Sequence, residues 1–251
     1  MGEWLEVTVA EKIRWGDGVY SLRFEAPQLV FKAGQFVRVG LEIDGERVAR
    51  PYSLVNAPHE PLHEIYFNVV PEGPLSPRLA QLEVGDSFQV HPSATGTMIM
   101  DRLPEHRHLW LFATGTALGP FLSILKAEEP WDSGRGCPER VVLCHSVRYA
   151  ADLAYAETIQ KLLERHGERL DFVPLVTREA HPGALRDRIP AALASGELER
   201  RVGLTLSPDA AHVLLCGNSA MIEEVQQLLV GRGLRRHRRR EPGHITVEKY
   251  H

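Results

Sequence analysis

The chain has 251 residues, room for one large domain or two small ones at ~150 residues per domain. Its 43% hydrophobic and 25% charged residues are ordinary globular composition, which excludes disorder for the chain as a whole. A net charge of −4 points to neither nucleic acid nor membrane, and no stretch approaches the ~20 apolar residues of a membrane helix.

The first hundred residues read as strands. Leu5, Val7 and Val9 alternate with polar residues, and "GVYSLRFEA", "GQFVRVGLEI" and "EIYFNVV" are β-rich runs broken by Gly, Pro and Asp. Asp44-Gly45 marks a hairpin turn, and "EVGDSFQV" gives another turn and strand. Short strands with close turn signals predict a small antiparallel barrel or sandwich, with one helical piece near "SPRLAQL".

From about residue 106 the pattern changes. "HLWLFATG" is an apolar run ending in glycine, followed by a helix, "PFLSILKAEE", with Pro120 in its first turn. "VVLCHS", "LDFVPLVT" and "HVLLCGN" are further apolar runs. "ADLAYAETIQKLLERHG" predicts an amphipathic helix with Asp152 as N-cap, Gly167 as stop and a buried stripe of Ile159, Leu162 and Leu163. "AMIEEVQQLLVGRG" predicts another helix. Strands alternating with helices argue a parallel sheet covered on both faces. The boundary between the two patterns falls in "MDRLPEH", giving domains of 1–101 and 102–251.

Cys137, Cys144 and Cys216 fit no disulfide framework, zinc site or iron–sulfur set, so a reducing compartment is expected. The N-terminus lacks a basic start followed by an apolar run, so the expected location is the cytoplasm. The twelve histidines form no metal signature, and "HRH" at 106–108 reads as a connecting loop.

Four stretches carry candidate chemistry. "RPYS" puts Arg50, Pro51, Tyr52 and Ser53 on one strand. A guanidinium forks onto phosphate oxygens, a tyrosine ring offers a flat face, and a serine hydroxyl can bond a ring nitrogen. A flavin nucleotide wants all three; a surface arginine beside a core tyrosine is the alternative. "PEGPLSPRL" places Leu75 and Ser76 at a helix start after the turn at Gly73-Pro74, where free backbone N–H groups meet an anion or are simply capped. "ATGTALGP" lies between strand and helix, where α/β folds bind phosphates, although its glycines lack the dinucleotide spacing. "LLCGNSAM" sets Cys216 at a strand end, as a wall for a ring or a packed thiol. Residues 232–240, with six arginines, form a basic patch: a docking face for an acidic partner, or a solvated helix end.

In this order, nearly end to end, these motifs resemble the ferredoxin–NADP reductase family, and most closely its bacterial type that reduces ferredoxin or flavodoxin. "RPYS" and "GPLSPRL" are similar to its two flavin motifs, "GTALGPF" to its nicotinamide turn and "CGN" to its strand-end cysteine motif. "AGQF", "GLEIDGERV", "VRYAADL", "DRIP" and the ending "VEKYH" fit the bacterial subgroup.

The resemblance implies a six-stranded antiparallel β-barrel FAD domain followed by a parallel α/β NADP-binding domain. It implies hydride transfer between NADP(H) and FAD, then single-electron exchange with ferredoxin or flavodoxin. A monomer is expected, and the charge and hydropathy of the chain predict no nucleic-acid or membrane partner. FAD would rest on Arg50, Pro51, Tyr52, Ser53, Asn68, Val69, Pro74, Leu75, Ser76 and Thr116, with Tyr250 and His251 of the returning tail. NADP would meet Val147, Arg148, Thr177, Arg178, Arg188, Cys216, Gly217, Asn218 and Met221. The three arginines would bind the 2′-phosphate, which argues against an NADH-preferring oxygenase reductase. Ser53, Cys216 and Glu248 are the expected catalytic residues, Glu248 relaying protons or steadying the flavin's one-electron state. Two departures stand out: His251 replaces the subgroup's frequent terminal tryptophan, and Ser219 follows "CGN" where proline is common.

Overall fold

In a computed structural model, residues 3–132 and 137–249 are described. Strands β1 (Leu5–Gly16), β2 (Val19–Phe24), β3 (Phe36–Ile43), β4 (Glu46–Ser53), β5 (His63–Asn68) and β6 (Ser87–Val90) form one sheet in the order β4-β3-β6-β1-β2-β5. All pairings within it are antiparallel. The two edge strands meet through a Leu54–Ile65 bridge and the Val55 N–H to Glu64 O bond (2.9 Å), so the sheet closes into a barrel. Closure removes the exposed strand edges. Val7, Val9, Leu22, Phe24, Val39, Ile65 and Phe88 fill the interior by the alternation legible in the sequence. The β3–β4 turn has the predicted chemistry: Asp44 and Gly45 both take positive φ, 53° and 80°. The helical piece of this half is α1 (Ser76–Leu79), a single turn.

The second half holds β7 (His108–Thr114), β8 (Arg140–Val147), β9 (Leu170–Val176), β10 (Ala211–Gly217) and β11 (Ile245–Lys249), all parallel, in the order β11-β10-β7-β8-β9. Helices α2 (Leu118–Lys126) and α3 (Ala156–His166) bury Phe121, Leu122, Ile159 and Leu162 on one face. Helices α4 (Ile189–Ala194), α5 (Glu197–Val202) and α6 (Ser219–Gly231) bury Ile189, Leu198, Ile222 and Val225 on the other. Strands covered on both faces explain why these runs are continuously apolar rather than alternating. No helix among the described residues is long and apolar enough to cross a membrane.

One prediction is corrected. Asp152 does not cap α3; it ends a 3-10 turn (Ala150–Asp152), and its carboxylate accepts from the Tyr149 N–H at 3.1 Å. The helix begins four residues later because Tyr155, at φ 59°, turns the chain in the left-handed region. Its hydroxyl is anchored in the barrel, donating to buried Glu64 and bonding Ser21 at 2.6 Å. Gly167 does end the helix, at φ 53°, while Leu163 is only partly buried. Ala33, Val55, Tyr66 and Met98 of the barrel half share the core of α2 and α3, so the two halves meet across an apolar seam.

Candidate functional site: two cavities with a common wall

Strand β7 starts the parallel sheet, and the chain then adds β8 on one side and β10 on the other. Ligands bind α/β sheets in the crevice outside such a switch point. Here the strand ends Thr114 and Gly217 meet: the Thr114 hydroxyl accepts from the Asn218 N–H at 2.8 Å. Gly217 has φ +125°, and a Cβ there would lie 2.2 Å from Thr114 Oγ1, so only glycine fits. Asn218 then caps α6, its side-chain oxygen accepting from the N–H groups of Ala220 (3.0 Å) and Met221 (3.2 Å). That gives "CGN" a structural reason at each of its last two positions.

A cavity of about 720 Å³ opens at this point. Of the predicted nicotinamide-side residues, Val147, Arg148, Thr177, Arg188, Gly217, Asn218 and Met221 line it. Arg178 does not line it but lies beside Arg148, donating its N–H to the Arg148 carbonyl at 2.9 Å. Cys216 is fully buried behind the cavity wall, paired in register with Ala113 and Glu248. Arg148 and Arg178 are exposed, and their side chains have no carboxylate partner among the described residues. Two cations left open at a cavity edge suit a phosphate. His145, buried under the turn, donates Nε2–H to the Gly115 carbonyl at 2.9 Å, and burial lowers its pKa to about 4. The imidazole is therefore neutral and can serve as a fixed donor to that turn.

A second cavity of about 1090 Å³ runs from this crevice along the barrel, above the ~1,000 Å³ upper range of ordinary small-molecule pockets. Arg50, Pro51, Tyr52, Ser53, Asn68, Pro74, Leu75, Ser76 and Thr116 line it; Val69 does not. Arg50 makes one internal bond, to the Ala49 carbonyl at 2.8 Å, which leaves most of its fork available. The Tyr52 ring stands edge-on to Phe67 with centroids 5.8 Å apart, and burial raises its hydroxyl pKa to about 12. Ser76 Oγ accepts from the Val70 N–H at 2.9 Å, so its own proton remains to donate outward. Predicted Tyr250 and His251 lie outside the described residues.

Glu248 enters the second cavity from the end of β11. Its Oε2 accepts from the Thr97 N–H at 3.3 Å, and its Oε1 is buried without a hydrogen-bond partner. Burial raises its pKa to about 7, against the lowering effect of the Thr97 bond. The carboxyl thus holds its proton in mild acid and releases it as the pH rises through neutrality. A buried orphan oxygen in a cavity wall is a position for a ligand donor.

The two cavities share Tyr66, Asn68 and Thr116, with Thr116 Oγ1 3.4 Å from Asn68 Oδ1. Ligands in the two spaces would touch there. Sequence reading missed Tyr66, Phe67, Gln35, Phe36, the 94–97 loop, Arg102, Arg236 and Val247 of the larger cavity, and Ser146, Asp152, Ile189 and Pro190 of the smaller. Only Gly96, at φ +137° within "SATGT", offered a signal that this loop is closely packed.

Comparison with known proteins agrees with this arrangement. A family model described as an oxidoreductase FAD-binding domain matches residues 5–98, and one described as an oxidoreductase NAD-binding domain matches 111–227. The chain is 46% identical over 251 residues to a flavodoxin/ferredoxin–NADP reductase of Escherichia coli (strain K12), covering 100% of both. It is 37% identical to a ferredoxin–NADP reductase of Pseudomonas aeruginosa, covering 94% of this chain and 93% of that one. A solved ferredoxin NADP+ reductase from Neisseria gonorrhoeae, with bound FAD and NADP, superposes with a TM-score of 0.92 at 29% identity over 99% of each chain.

Proposed function

Because the chain belongs to the flavodoxin/ferredoxin–NADP reductase family, an oxidoreductase family, we propose that it moves electrons between NADP(H), FAD and a ferredoxin or flavodoxin. The common wall of the two cavities at Tyr66, Asn68 and Thr116 is the observation that carries this reading. It lets two extended dinucleotides meet at their reactive ends. Residues 1–101 are assigned to FAD and 102–251 to NADP and the returning tail.

The residues present fit the two groups. Arg50 would clasp the linked phosphates of FAD, Tyr52 would supply a flat wall, and Ser53 and Ser76 would give short polar contacts. Arg148 and Arg188, with Arg178 beside Arg148, would receive the 2′-phosphate of NADP. Bound FAD would supply the exchange between two-electron hydride chemistry with the nicotinamide and single-electron transfer to a carrier. The chain's share is placement: the Gly217–Thr114 contact and the His145–Gly115 bond fix the crevice floor, and Glu248 holds a transferable proton on its carboxyl. Cys216 backs the same wall rather than forming its surface.

An acidic carrier suits the rim. Arg235, Arg236, Arg239 and Arg240 are exposed, and Arg236 lines the larger cavity. Opposite charge speeds such encounters and makes them salt-dependent. With NADPH as donor, the purified protein should reduce ferredoxin or flavodoxin by single electrons, progressively more slowly as salt is raised. NADPH oxidation with no carrier reduction at any salt concentration would exclude the carrier assignment.

A further inference from the structure

We propose that Glu224 sets how tightly the chain holds a 2′-phosphorylated nucleotide, by competing with the phosphate for Arg188. The inference rests on the assignment of Arg188 to the 2′-phosphate and adds a residue outside the cavity lining. Arg188 precedes α4 and lines the smaller cavity. Its two terminal nitrogens lie 3.2 Å from the two carboxylate oxygens of Glu224 on α6. This fork-to-fork pairing is the geometry an arginine uses for phosphate, so an arriving phosphate meets a fork already filled. Arg148 and Arg178 differ: no carboxylate engages either side chain among the described residues.

The pair is weak enough to open. The side chains are 64% and 42% exposed, and ion pairs so placed are screened by water and salt. The phosphate therefore displaces the carboxylate rather than being refused. The cost falls on phosphorylated nucleotides alone, because a nucleotide without the 2′-phosphate leaves the pair intact. The neighbouring Glu223 separates this effect from simple net charge: it holds Lys249 at 2.8 Å and does not touch Arg188.

The test is calorimetric titration of the flavin-loaded protein with 2′-phospho-AMP and with 5′-AMP at low salt. Glu224→Gln should bind 2′-phospho-AMP about 3- to 5-fold more tightly, with 5′-AMP unchanged. Glu223→Gln should change neither by more than about 2-fold, and Arg188→Ala should weaken 2′-phospho-AMP about 10-fold. If Glu224→Gln binds no more tightly while Arg188→Ala still weakens binding, the competition is overturned and the 2′-phosphate assignment stands. Equal tightening by Glu223→Gln would also overturn it, as an effect of net charge. If Arg188→Ala leaves 2′-phospho-AMP binding unchanged, the assignment of Arg188 fails and the competition with it.

Discussion

Arg50→Ala is expected to yield a protein that folds but loses its FAD on purification. Arg50 spends one contact on the Ala49 carbonyl and carries the remaining donors into the larger cavity. A hydrogen bond to a charged group contributes about 1.5–3 kcal/mol, and a guanidinium can make two to linked phosphates. Their loss should raise the flavin Kd by a factor of about 100 or more. Arg50 is exposed in the middle of β4, and the barrel beneath it is filled by other side chains, so the melting transition of the apoprotein should barely move. Arg50→Lys should recover part of the affinity, since an ammonium supplies charge without the fork. Fluorimetric titration of apoprotein with FAD checks all three, and an unchanged Kd for Arg50→Ala would remove the phosphate role.

Gly217→Ala is expected to uncouple the two cavities. The new Cβ would lie 2.2 Å from Thr114 Oγ1 and 3.1 Å from Thr114 N, at a φ of +125°. Strain at such a φ costs on the order of 1–3 kcal/mol for a residue with a side chain. Moving Thr114 also breaks its bond from the Asn218 N–H, about 1 kcal/mol more. A total of roughly 3 kcal/mol lowers the Tm by about 6–12 °C in a chain of this size. NADP+ affinity should fall at least about 10-fold as the crevice floor shifts. The flavin should stay bound, because Gly217 lines the smaller cavity and not the larger. Parallel melts and NADP+ titrations of the yellow variant check this; joint loss of flavin and nicotinamide binding would mean that the cavities are not separable.

Legibility in the sequence followed the range of the interactions. The barrel showed in Leu5-Val7-Val9 and the Asp44-Gly45 turn because strand alternation and turn chemistry are local. The parallel sheet showed in "HLWLFATG" and "HVLLCGN" because burial on both faces leaves unbroken apolar runs. The motif residues fell around one site because strand ends gather at a switch point. What failed was tertiary. Asp152 has the composition of a helix cap, but the turn at Tyr155 answers to Glu64 in the barrel, 91 residues away. The ion pair of Arg188 joins residues 36 apart, and nothing local to either announces it. Arg102 and Arg236 come to the larger cavity from segments that read as a linker and as a docking face or solvated helix end.

The account turns on nicotinamide delivering electrons to a flavin across the shared wall, with the 2′-phosphate recognised by arginine. Mixing the purified yellow protein with NADPH or NADH without oxygen, and following loss of the flavin colour, tests it most directly. Prompt bleaching by NADPH is expected, at least about 10-fold more efficient than by NADH, with the difference shrinking in Arg148→Ala. A colour that survives excess NADPH, or bleaches equally with both nucleotides in the wild type, would contradict it.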